Sequence, residues 1–280
     1  MMFNVLLPGG TTGHVVGGLL VAVLLGPWAA TLAISVALFV QAMLFGGGGI
    51  LAFGANVFNM AFVIPFLGYA VYTLIKDCFR SRAGEYIGLA AGSYIGIAFA
   101  ALCAAIEFGI QPLLFKDAAG LPRYCRYPLS VSIPAMLLPH LVVAGVVEAA
   151  FTMAIVAFVR RVSPASVYEG ASMRNKPLFA LLVVLIVLSP IGLLASGTAW
   201  GEWGAEEIGG VVQGGKALGF VPAGMRSGFS LETLMPDYTI KGVPAVAGHI
   251  LSAIAGVAVL VIAFKLLGLA KRAKPVKAEN

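Results

Sequence analysis

Charge is what this chain has least of. Asp, Glu, Lys and Arg make up 11% of its 280 residues, where a soluble domain carries about 25%. A water-exposed globular surface cannot be built from so few charges, so a soluble domain is excluded. Cysteine is scarce as well. Cys78, Cys103 and Cys125 form an odd set with no CxxC, which suggests neither a disulfide framework nor a zinc site and leaves all three as packing residues. No HExxH is present, so a membrane metalloprotease has no support. The run Gly46 to Gly49 is not followed by GK[ST], which rules out a phosphate cradle of the P-loop kind. The opening MMFNVLLPGG lacks a basic leader and its apolar run ends at Pro8, so it is not a signal peptide. No basic stretch is interleaved with aromatics in a soluble segment, and nucleic acid is excluded as a partner.

What fills the chain instead is apolar: 60% of residues are hydrophobic and the mean hydropathy is +0.98. With roughly 20 residues needed per crossing, seven segments emerge, near 14–25, 27–45, 55–75, 86–107, 132–159, 178–195 and 245–269. The pattern predicts an all-α polytopic transmembrane helix bundle with six to seven membrane segments. The first is too short for an ordinary crossing, and Pro27 after Gly26 separates it from the second. Gly88, Gly92 and Gly96 form a small-xxx-small ladder, a close-packing face for a neighbouring helix or a docking face for another subunit.

Lys and Arg gather on the cytoplasmic side of membrane proteins. The tail carries Lys265, Lys271, Arg272, Lys274 and Lys277 against Glu279, which puts the C-terminus in the cytoplasm. Counting back places 160–177 and 76–85 inside, 196–244 outside, and the N-terminus, His14 and the 46–54 glycine loop on the outer face. The 108–131 loop, outside with Lys116, Arg123 and Arg126, fits this count least well. The expected division is a membrane core over 1–195, an extracytoplasmic loop over 196–244, and a C-terminal transmembrane helix with a basic tail over 245–280.

Polar residues in so apolar a chain carry the chemistry. His14 stands among Thr11, Thr12 and Gly13. A neutral imidazole is a common ligand for transition metals, but one histidine does not complete a site, and an interfacial histidine bonded to a carbonyl is the alternative. Asn56 and Asn59 open a helix, where they cap orphan backbone groups or order a bound ion at one remove. His140 and Glu148 lie inside one long segment, eight residues or about 12 Å apart along a helix, too far to share one ion. An intramembrane ionisable residue is expensive, so Glu148 either pairs with a basic group or hydroxyl on a neighbouring helix or serves coupling to a partner. Glu107 is expected near a helix end, in reach of water. The stretch with Trp200, Glu202, Trp203, Glu206 and Glu207 reads as an interfacial belt with solvated carboxylates.

The strings PGGTTGHVVGG, LLGPWAA, QAMLFGGGGILAFGANVFNMA, HLVVAGVVEAAFTMAIVAFVRR and WGEWGAEE resemble the CbiM/NikM family, the substrate-capturing membrane components of energy-coupling-factor importers for cobalt or nickel. The resemblance covers nearly the whole chain, and its last stretch, with PDY at 236–238 and GH at 248–249, is similar to the C-terminal extension of longer members. It implies capture of Co2+ or Ni2+, as cargo and not as a resident cofactor, in a near-planar nitrogen site. The donors are an amino-terminal amine, the backbone nitrogen and imidazole of a Met-His start, and one further histidine, matched here by His14. Gly54, Asn56 and Asn59 match the loop that orders the site. The implied partners are a small CbiN/NikN-like helper membrane protein, a CbiQ-like transmembrane coupling subunit and a CbiO-like cytoplasmic ATPase. The chain itself would then be no enzyme, and cobalt for cobalamin synthesis is the first expectation. Family members begin Met-His and pass through two helices before TGH, whereas this chain begins Met-Met-Phe; the expectation is a start assigned too late in a longer gene. The rival is a stand-alone secondary cation transporter using Glu148, and a metal-dependent membrane enzyme lacks the clustered ligands it would need.

Overall fold

The computed structural model describes residues 4–6, 12–162, 175–194, 200–213, 216–227, 229 and 231–272. The connector at 163–174 and the tail beyond 272, on which part of the orientation rests, lie outside the described residues. Five described helices are long and apolar enough to cross a membrane: Pro27–Phe45, Phe53–Phe79, Arg82–Leu114, Leu129–Val162 and Ala245–Leu266. They match five of the seven segments expected from hydropathy.

The two remaining segments are shorter. Helix α1 (Gly18–Leu25) has eight residues, about 12 Å at 1.5 Å per residue, and does not span. It is bracketed by Gly17 at φ +68° and Gly26 at φ +84°, backbone angles that L side chains rarely adopt, and Pro27 then starts α2 (Pro27–Phe45) afresh. The other is α6 (Asn175–Leu188), fourteen residues continued by a 3₁₀ stretch, Ser189–Leu194. Between them lie α3 (Phe53–Phe79), α4 (Arg82–Leu114) and α5 (Leu129–Val162), and α7 (Ala245–Arg272) follows. Ahead of α1, β1 (Asn4–Leu6) pairs antiparallel with β2 (Thr12–His14), Asn4 opposite His14.

The core is the α3–α4 pair. A Cβ on Gly88 would lie 2.8 Å from the Tyr72 carbonyl oxygen, and one on Gly92 2.5 Å from that of Gly68. The ladder therefore serves packing within the chain. α1 lays Leu19 and Val23 into the groove beside Tyr72, Leu89 and Val156. At the α4 end that starts with Arg82, Arg160 of α5 grips both carboxylate oxygens of buried Glu85, to which Tyr72 also donates at 3.0 Å. One bidentate pair thus fastens α3, α4 and α5 at a single end.

Candidate functional site

At the other end the helices part around a cavity of about 560 Å³. Its walls come from α3 and α4, from Met136 and His140 of α5, from the Gly46–Gly49 turn, and from Val16 just after β2. Two π-helical turns contribute to its wall, Val57–Val63 and His140–Ala144, and a third, Gln41–Phe45, leads into the glycine turn. Such turns displace side chains from the regular helical stripe and recur at functional sites.

Asn56 and Asn59 both line this cavity. Neither caps a helix. Asn56 Nδ2 donates to the Gly48 carbonyl at 3.2 Å, tying the glycine turn to α3, and Asn59 Nδ2 donates to Glu107 Oε2 at 2.8 Å. Glu107 accordingly is half-buried inside α4 with an amide partner, not held in water at a helix end. Gly54 does not line the cavity, and a Cβ there would meet nothing within 4 Å.

Glu148 is 1% exposed, and among the described residues its partners are backbone N–H groups, not a basic side chain or a hydroxyl. Its Oε2 accepts from the Val16 backbone N–H at 3.0 Å and its Oε1 from that of Gly17 at 2.7 Å. Those two N–H groups open α1, where the orphan donors and the positive end of the helix dipole favour a carboxylate. They also lie two and three residues beyond His14. The carboxylate therefore fixes the chain end of the strand carrying that histidine. The His14 side chain itself lies outside the described residues. β2 packs against the π turn that begins at His140, so the segments bearing these two histidines touch. His140 Nδ1 is 2.7 Å from the Met136 carbonyl oxygen, which fixes Nδ1 as the protonated nitrogen.

The 200–238 region roofs the cavity and is no detached solvated loop. Trp200, Glu202, Trp203 and Asp237 line it. Trp200 packs edge-on to Phe108 at 5.8 Å, and Tyr127 contacts both tryptophans at 5.3 and 5.5 Å. Burial pushes the Tyr127 hydroxyl up from its ordinary pKa. Further bonds run from Gly224 N–H to the Arg123 carbonyl at 2.8 Å and from Met235 N–H to that of Leu44 at 2.9 Å. Tyr238 packs tilted on Phe45 at 4.9 Å, and burial pushes its hydroxyl up to about 12, with the Gln41 side chain beside it acting the other way. Tyr238→Phe keeps the ring contact and loses the polar contact of the buried hydroxyl; the expected cost is about 1 kcal/mol, read as a lower melting temperature with an intact α3–α4 core. The aromatic and glycine composition of the stretch was visible in sequence, but its return onto the bundle was not.

Of the cysteines, Cys103 and Cys125 are half-buried, whereas Cys78 is exposed and packs nothing. Among the described residues no group of three or more His, Cys, Asp or Glu side chains stands close enough to hold a metal.

A multi-pass helical bundle with a roofed polar cavity at one end defines a membrane transport protein. Residues 1–166 match the family described as the cobalt uptake substrate-specific transmembrane region, CbiM, and the chain belongs to that family. Residues 174–273 match the PDGLE domain. The chain is 52% identical over 263 residues to a probable fused nickel transport protein LarMN of Lactiplantibacillus plantarum, covering 94% of this chain and 79% of that one. It is 48% identical over 277 residues to the fused nickel transport protein NikMN of Rhodobacter capsulatus, covering 93% and 80%. A crystal structure described as a transition metal transporter is 53% identical, with a TM-score of 0.54 over 58% of this chain and 70% of that one. Metal-ion transport across a membrane is thus the function class of this chain.

Proposed function

We propose that the chain is the substrate-specific component of an ATP-driven energy-coupling-factor importer for nickel or cobalt. It captures the ion at the outer face of the cell membrane with the imidazole of His14 among the donors, while Asn56, Asn59 and the helix start at Gly54 order the site. The observation that carries this reading is the anchoring by buried Glu148 of the strand that ends in His14, at the rim of a cavity bordered by both asparagines. Nickel is favoured over the cobalt expected from sequence. The nickel-named relatives align over more than nine-tenths of the chain, whereas the cobalt transport protein CbiM of Acetohalobium arabaticum aligns over 31% of it.

The fused relatives support reading the part after 174 as a built-in helper of the CbiN/NikN kind. Within the chain we retain a core to 195, an outer segment over 196–244 and a terminal membrane helix from 245, with the basic tail in the cytoplasm. A CbiQ-like coupling subunit and a CbiO-like ATPase supply the energy, no resident cofactor is needed, and the ion is cargo. Both oxygens of Glu148 are committed to backbone N–H groups, which speaks against a proton relay there.

Proteoliposomes test this directly. Nickel uptake is expected only when the chain is reconstituted with its coupling and ATPase subunits and ATP is supplied. Uptake by the chain alone, driven by a proton gradient, would overturn the proposal in favour of a secondary transporter.

A further inference from the structure

Among the described side chains, His140 is the histidine that lines the cavity. Its Nδ1–H is held by the Met136 carbonyl at 2.7 Å, so the proton is on Nδ1 and the Nε2 lone pair is left free. Among the described residues Nε2 meets no hydrogen-bond partner, and His140 is part of the cavity wall. This is how proteins prepare an imidazole for a metal: a backbone carbonyl on one nitrogen sets the tautomer and aims the other.

The surroundings agree. The π turn begins at His140 and lies against β2. Val16, Met60 and Val143 all pack against one core cluster that includes Ile64, Ile97 and Ala144, bringing the chain after His14, the neighbour of Asn59 and the turn after His140 to one place. Asn59 is 5% exposed, and among the described residues its Oδ1 has no donor. A buried amide oxygen without a donor is costly and is an oxygen that a partly hydrated cation satisfies.

We propose that His140 is a second ligand for the transported cation. It forms an interior seat in which a first-row divalent ion exchanges part of its water shell for Nε2 and takes Asn59 and retained waters as oxygen contacts. One imidazole with oxygen ligands holds such an ion far more weakly than a nitrogen-rich set, as a station that must release its cargo requires. This proposal rests on the capture reading, because the ion reaches His140 from the His14 strand.

Equilibrium dialysis against nickel of the purified full chain, carrying the Met-His start that completes the tight site, provides the test. Two ions are expected, one tight and one weak, and His140→Gln is expected to lower the weak affinity at least about tenfold while leaving the tight one unchanged. A second ion that binds His140→Gln as well as the unsubstituted chain overturns the proposal, as does a chain that binds only one ion. Loss of the tight ion in a folded His140→Gln also overturns it, because His140 would then belong to the capture set.

If the variant does not fold, the unsubstituted chain still decides. With nitrogen-labelled histidine only His14, His140 and His249 give ring signals, and Zn2+ serves as a diamagnetic probe that binds imidazole. A shifted His140 Nε2 signal is expected with His249 unmoved, and an unshifted His140 signal at saturating zinc sinks the idea. Tight nickel binding retained in His14→Ala would instead remove the capture reading, an outcome distinct from any failure at His140.

Discussion

In the chain restored to a Met-His start, replacing His14 by alanine is expected to abolish tight nickel or cobalt binding, and replacing Glu148 by leucine is expected to weaken it about a hundredfold without touching an imidazole. The second effect follows from what the carboxylate holds. Two backbone N–H groups, of Val16 and Gly17, end on it at 3.0 and 2.7 Å in a site that is 1% exposed. A buried donor left without an acceptor costs about 1–3 kcal/mol. Two such donors cost about 2–6 kcal/mol, a range that includes the roughly 2.7 kcal/mol of a hundredfold change in an equilibrium. The strand can escape this cost only by moving away, which takes His14 out of place. Glu148→Gln keeps one acceptor oxygen and should fall between leucine and the native residue. Calorimetry on the three proteins, with melting temperatures alongside, separates displacement of the strand from collapse of the bundle. An affinity for nickel in Glu148→Leu equal to that of the unsubstituted chain would refute the anchoring role.

The partners of Glu148 explain where sequence reading stops. A carboxylate in an apolar run is conspicuous, and a charged or hydroxyl partner was the natural expectation, because side chains leave letters in a sequence. Backbone N–H groups leave none: every residue but proline has one, and only the fold says which are orphaned at the start of α1. The same holds for Glu107, whose partner Asn59 is 48 residues away, and for the roof, where Trp200 meets Phe108 and both tryptophans meet Tyr127. Five membrane helices were legible because hydropathy over some twenty residues is a bulk property. The glycine turn and the two asparagines were legible as a place, since polar residues in such a chain are few. Their roles were not, because an amide at a helix start is equally suited to capping and to reaching across.

The α3–α4 seam offers the largest expected effect on the fold. Gly92→Leu is expected to prevent the chain from assembling, because even a Cβ there would sit 2.5 Å from the Gly68 carbonyl oxygen and 2.9 Å from Leu19 Cδ2. The nearer atom is backbone and cannot rotate aside. Ordinary overpacking costs about 1–3 kcal/mol when side chains can rearrange, and a four-carbon side chain between two touching backbones exceeds that range. In a membrane, such contact is the main attraction available between helices, so parting them removes the interaction it strains. Size-exclusion profiles and melting temperatures in detergent test this, with Ile95→Leu as the control, since Ile95 is 41% exposed on the outside of the same helix. Gly92→Ala is the more informative variant, because it parts the helices by less. α3 carries Asn59 and α4 carries Glu107, bonded at 2.8 Å across the continuation of that seam. If the alanine protein folds, nickel affinity should fall with it. An alanine variant that folds and binds as before would show that the cavity is set without the close approach of these two backbones.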